Sequence, residues 1–214
     1  MKKVKFGMGG ILMLSTMIVS DSAEVFVIYL LAALFHEVGH LLTAKLLGIG
    51  IKEIRFEFSG VRICTEEGLI SYAQEFLLAF AGPLFNLIGI GGVFLCGGIY
   101  GMTPAKLLIH GSSLLYGENG GGWGILGLFA LSSAMQAMTN LMPVKSFDGG
   151  RMLYSALAVS MGDRIAERVL TVASTAAIFT LWTVALYLML RISSGLGIYV
   201  FAACMFFSLQ KDEK

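Results

Sequence analysis

The stretch Ala23-Glu24-Val25-Phe26-Val27-Ile28-Tyr29-Leu30-Leu31-Ala32-Ala33-Leu34-Phe35-His36-Glu37-Val38-Gly39-His40-Leu41-Leu42-Thr43-Ala44-Lys45-Leu46-Leu47 decides how this chain is read. A helix crossing a bilayer needs about 20 mostly apolar residues, because the hydrocarbon layer is roughly 30 Å thick and each residue rises about 1.5 Å. Residues 24–47 meet that requirement, yet three ionisable side chains fall within five positions of it. At membrane depth an ionisable residue costs at least about 2.5–3.5 kcal/mol on insertion scales. Something must offset that cost.

The spacing says what could. Residues four apart share a helix face, so His36 and His40 can point both imidazoles at one cation with Glu37 beside them. Two histidines in this arrangement suit zinc, and the adjacent glutamate stands where a base for a water molecule would. With 3 His and 10 Glu among 214 residues, chance composition yields about 0.002 such motifs. The plainer reading, two core histidines satisfied by helix neighbours, leaves the membrane cost without an offset.

The rest of the sequence agrees with a membrane setting. Apolar residues make up 57% and charged residues 14%, against roughly 25% charged in soluble domains, and mean hydropathy is +0.81. Water-soluble, disordered and fibrous classes are thereby excluded. Net charge is +1, and without a basic run no nucleic-acid partner is expected. Cys64, Cys96 and Cys204 are scattered and imply no disulfide framework. The 27 glycines suit close-packed membrane helices.

The predicted fold class is an all-α polytopic membrane protein, forming a single integral-membrane domain over 1–214 with its core at about 24–155. About six transmembrane helices are expected, near 6–20, 24–47, 76–100, 123–143, 169–190 and 195–210. The first also reads as a signal peptide, since Lys2, Lys3 and Lys5 precede a short apolar run; the lack of an A-x-A site favours a retained helix. With the N-terminus inside, 13 of the 15 Lys and Arg face the cytoplasm. A multi-pass cell-membrane protein with both termini cytoplasmic follows.

One segment has a different period. Apolar and charged residues alternate through Glu53-Ile54-Arg55-Phe56-Glu57-Phe58, Ser59-Gly60 interrupts, and Val61-Arg62-Ile63 alternates again. This predicts a short strand or hairpin at the cytoplasmic membrane surface. The glycine-rich 117–124 is expected to be an outer loop, with His110 on that same outer side.

A catalytic zinc takes a third protein ligand and leaves a position open. His110 falls on the wrong side, so a carboxylate is needed. Asp148 is the best candidate, in Asn140-Leu141-Met142-Pro143-Val144-Lys145-Ser146-Phe147-Asp148-Gly149-Gly150-Arg151 at the cytoplasmic end of the fourth span. Glu75, at the start of the third span, is a weaker rival. Asn140 places a primary amide in an apolar helix, where lipid cannot meet its hydrogen-bonding capacity; it could hold a substrate carbonyl or join two helices. Pro143 cannot continue regular helix bonding and is expected to loosen the chain before Asp148. Gly39 allows a second backbone to come near, for the site or for ordinary packing.

HExxH at 36–40, followed about a hundred residues later by N-x-x-P-x-x-x-x-D-G at 140–149, resembles the site-2 protease family of intramembrane zinc metalloproteases. Gly82-Pro83-Leu84-Phe85-Asn86 matches the G-P-x-x-N segment usual in the intervening helix. The resemblance implies that His36, His40 and Asp148 hold Zn2+, that Glu37 is catalytic, and that Asn140, with Asn86, lies near the scissile bond. It implies a protein substrate that is transmembrane or membrane-associated, cleaved by regulated intramembrane proteolysis, an active site opening to the cytoplasm, and a membrane-borne regulator. The layout is closest to the sporulation-type branch, but neither its CBS domain nor the PDZ domain of other members is visible. A metal or proton transporter would spread ionisable groups over several spans, whereas here they cluster in one motif and one loop. A catalytically inactive binding relative would lack a motif residue, and none is missing.

Overall fold

The computed structural model describes residues 3–6, 23–57, 60–65, 70–115 and 121–192. In chain order these form β1 (Lys3–Phe6), α1 (Ala23–Leu46), β2 (Ile51–Glu57), β3 (Gly60–Thr65), α2 (Tyr72–Ile99), α3 (Pro104–Leu115), α4 (Gly121–Asn140), α5 (Asp148–Met161) and α6 (Asp163–Ile192). They group into two compact units, one of residues 1–69 and 80–140, the other of 70–79 and 141–214. Helix α2 contributes to both.

In the first unit, α1 buries a stripe spaced by four: Ile28, Ala32, His36, His40 and Ala44. Its opposite face exposes Leu30, Leu31, Leu34, Val38 and Leu42. Small and polar groups inside with bulky apolar groups outside would be inverted in water. In lipid, where tails are as apolar as leucine, close packing of small residues is what joins helices. The junction with α2 shows this, because a Cβ on Gly39 would stand 2.5 Å from the Ala81 carbonyl oxygen. Phe35 packs on Phe85 and Phe129, with ring centroids 5.6 and 6.0 Å away. From α4, the Gln136 side chain meets the α1 backbone, its amide donating to the Ala32 carbonyl at 3.2 Å and accepting the Ala33 N–H at 3.1 Å. A second cluster, Val93, Leu107 and Ala130, joins α2, α3 and α4.

A three-stranded sheet lies in the same unit, ordered β1-β2-β3. β2 and β3 run antiparallel with Ile54 opposite Ile63 and Glu57 opposite Gly60, while β1 runs parallel to β2 with Lys3 opposite Glu53. The alternating pattern at 53–63 thus coincides with paired strands; residues 58–59 between them lie outside the described set. β2 has a partner on each side.

In the second unit, α6 repeats the four-residue stripe with Ala166, Leu170, Ser174 and Ile178 buried. Ile178 packs with Val144 and Phe147 of the segment entering α5. Tyr72 and Tyr154 both donate hydroxyls to Asp163, the latter at 3.2 Å. Burial, then the hydrogen bond and charge of Asp163, raise the Tyr154 phenol above its ordinary value.

Several expectations need correction. Among the described residues three helical stretches are long and apolar enough to cross a membrane: Val27–Leu46, Tyr72–Ile99 and Asp163–Val184. The spans expected at 6–20 and 195–210 lie outside the described residues, apart from Phe6 in β1. The helix at the expected fourth span, α4, ends at Asn140 rather than 143, because Pro143 cannot extend it, and it is not among those three. His110 lies in helix α3, and Gly121–Gly124 open α4 rather than lying in a loop.

Candidate metal centre

Helix α1 needs no distortion to make the centre. Its four-residue period stacks the two imidazoles on the buried face, at 4% and 5% exposure. Their Nε2 atoms face each other at 3.2 Å, with ring planes 78° apart. Two nitrogens on a tetrahedral zinc, each about 2.0–2.1 Å from it, stand about 3.3 Å apart. The observed separation fits two ligands converging on one ion. One ligand atom each from His36, Glu37 and His40 lies within 4.8 Å of the others.

Helix α2 leaves room for an ion. A Cβ on Gly82 would fall 2.4 Å from Nε2 of both His36 and His40. Any other residue there would crowd both donor atoms, so the glycine keeps the α2 side open. One turn on, Asn86 is fully buried, and its Nδ2 lies 3.0 Å from His36 Nδ1.

Asp148 belongs to the second unit, where it is the first residue of α5 and buried. Its position is held by backbone geometry. A Cβ on Gly149 would lie 2.2 Å from the Leu141 carbonyl oxygen, and one on Gly150 2.1 Å from that of Val144. The two glycines therefore let residues 141–147 fold back over the first turn of α5. Ser174 of α6 clamps that segment: its hydroxyl accepts the Lys145 N–H at 3.0 Å and donates to the Pro143 carbonyl at 3.1 Å. Arg151 places Nη1 3.5 Å from Asp148 and Nε 2.7 Å from Glu75. One guanidinium thus holds both carboxylates, Glu75 more closely than Asp148. Asn140 ends α4 in the first unit and is half-buried.

No protein-family model matches the chain. A curated Synechocystis protein named by assignment as a zinc metalloprotease is 31% identical over 130 residues, 60% of this chain and 30% of that relative. The site-2 protease of Methanocaldococcus jannaschii superposes with a TM-score of 0.59 and 22% identity, over 94% of this chain and 89% of that one. The chain has the site-2 protease fold. The superposition shows that fold alone, and the name of the curated relative is that of a zinc metalloprotease. The chain matches less than a third of the length of its curated relative.

Within this site-2 protease fold, sequence reasoning missed two elements. Gly82 stood in a matched segment, but nothing in the sequence said that its missing side chain faces two imidazoles. Ser174 is one of many hydroxyl residues on a long apolar helix, and no local signal separates it from its neighbours.

Proposed function

We propose that this chain is an intramembrane zinc metalloprotease, hydrolysing a peptide bond within or at the edge of a transmembrane or membrane-associated protein. The observation that carries the reading is the pair of buried Nε2 atoms 3.2 Å apart on a membrane-length helix, with the Glu37 carboxylate beside them. The fold likeness and the name of the Synechocystis relative support a membrane metalloprotease.

His36, His40 and Asp148 are the proposed ligands. Asp148 is preferred over Glu75 because Arg151 holds the Glu75 carboxylate closely, at 2.7 Å, and that of Asp148 more loosely, at 3.5 Å. Zinc, when bound there, acidifies a water molecule and polarises a carbonyl. Glu37 takes the proton of the attacking water and delivers it to the departing amine nitrogen. The Asn140 amide donates to the substrate carbonyl oxygen as negative charge develops on it. Water reaches the site through a cavity open to the cytoplasm, since unsatisfied polar groups are not tolerated in lipid. A helical substrate hides its carbonyls and must first unwind. Because β2 is paired on both sides, the unwound segment would add to β3 or β1, the outer strands among the described residues.

The test is co-expression of wild type and Glu37→Gln with candidate single-span substrates. Cleavage by wild type alone supports the reading, and equal processing of every substrate by both would refute it.

A further inference from the structure

We infer that Asn86 is a positioning residue for His36, accepting a hydrogen bond from Nδ1–H and so holding the ring in the tautomer whose Nε2 can bind zinc. This rests on the metal centre proposed above and replaces the expectation that Asn86 touches substrate.

Asn86 has no surface open to a substrate, being fully buried. Its amide lies 3.0 Å from His36 Nδ1, while the other ring nitrogen faces His40 Nε2 at 3.2 Å. A neutral imidazole carries one proton. If Nε2 gives its lone pair to a cation, the proton must sit on Nδ1, which is then a donor needing an acceptor. Asn86 is the residue beside it, and an amide offers an acceptor at one end and a donor at the other. The two ends are nearly indistinguishable in shape. With Nδ2 towards the ring, Asn86 donates to Nδ1 and the proton sits on Nε2, which cannot then ligate. In that arrangement the buried Oδ1 has no hydrogen-bond partner among the described residues. Half a turn of the amide gives Oδ1 a partner, puts the ring proton on Nδ1 and frees Nε2. A ligating histidine whose other nitrogen is held by an oxygen is the general pattern of metal sites.

Charge and hydrogen-bonding direction separate this role from the alternatives. A carboxylate accepts and does not donate, so Asn86→Asp preserves an acceptor for Nδ1–H while removing any donor to a substrate carbonyl. Asn86→Leu removes the acceptor at similar volume.

The experiment titrates purified full-length protein in detergent with zinc against a competing chelator, with melting of the zinc-free forms as a control for folding. Wild type is expected to bind one zinc, Asn86→Leu about 10–100-fold more weakly, and Asn86→Asp within a few-fold of wild type. Wild-type affinity in a folded Asn86→Leu would overturn the inference while leaving the metal centre intact. So would a loss in Asn86→Asp as deep as in the leucine variant. Should the leucine variant not fold, the aspartate variant decides alone: retained zinc supports the role, and a hundredfold loss overturns it. Absence of zinc binding by wild type would refute the metal centre itself, a distinct result.

Discussion

Gly82 faces His36 at a distance no side chain could occupy: a Cβ on the glycine would lie 2.4 Å from the imidazole Nε2. The absence of one methyl group on α2 is therefore part of the proposed donor set on α1. Gly82→Ala is expected to weaken zinc binding tenfold or more, read by chelator competition. Gly92→Ala, on the same helix with nothing within 4 Å among the described residues, should leave it unchanged.

Glu37→Gln retains a side chain of the same shape but cannot take a proton. Zinc content should stay near one per chain, while cleavage falls by about 10²-fold or more. Metal analysis and substrate cleavage on the same preparation separate the two effects. Loss of zinc would make Glu37 a ligand rather than a base.

For the third ligand, Asp148→Ala should lose zinc and Glu75→Ala should keep it. The opposite pattern would transfer the role to Glu75 and leave the pairing with Arg151 as its anchor.

Ser174→Ala removes both hydrogen bonds that clamp residues 143–145. The Lys145 N–H then has no hydroxyl to donate to, and an unsatisfied buried group costs about 1–3 kcal/mol. Denaturant unfolding in detergent should register that loss. The exposed Lys145–Glu167 pair, 2.8 Å apart, is a suitable contrast, because Glu167→Gln should change stability by under about 1 kcal/mol.

Gly149→Ala and Gly150→Ala meet backbone oxygens at 2.2 and 2.1 Å. Carbonyls of a folded-back segment cannot rotate away as a flexible side chain can. Both variants should be more damaging to zinc binding than Ser174→Ala, and a wild-type zinc affinity in either would show that the segment does not position Asp148.

The membrane character, the 36–40 motif and the alternating 53–63 segment were legible because each depends on composition or on a local period. Helices α3 and α5 were not foreseen, since α3 is short and α5 opens on Asp148-Gly149-Gly150, which reads as a turn. In the structure those glycines lie inside a helix, and their purpose is visible only against Leu141 and Val144. The strand predicted at 53–57 also pairs with β1, a pairing between segments about fifty residues apart that no local pattern encodes.

By itself the amino-acid order determined that His36 and His40 share one face of a membrane-length helix, because a fixed helical period relates positions four apart whatever surrounds them. Only the tertiary structure decided that Gly82 opens the space before them and that Asn86 meets the far nitrogen of His36. Those relations join residues some fifty positions apart on separate helices, and they arise from how side chains interlock when α1 and α2 pack, a quantity that no one-dimensional period contains.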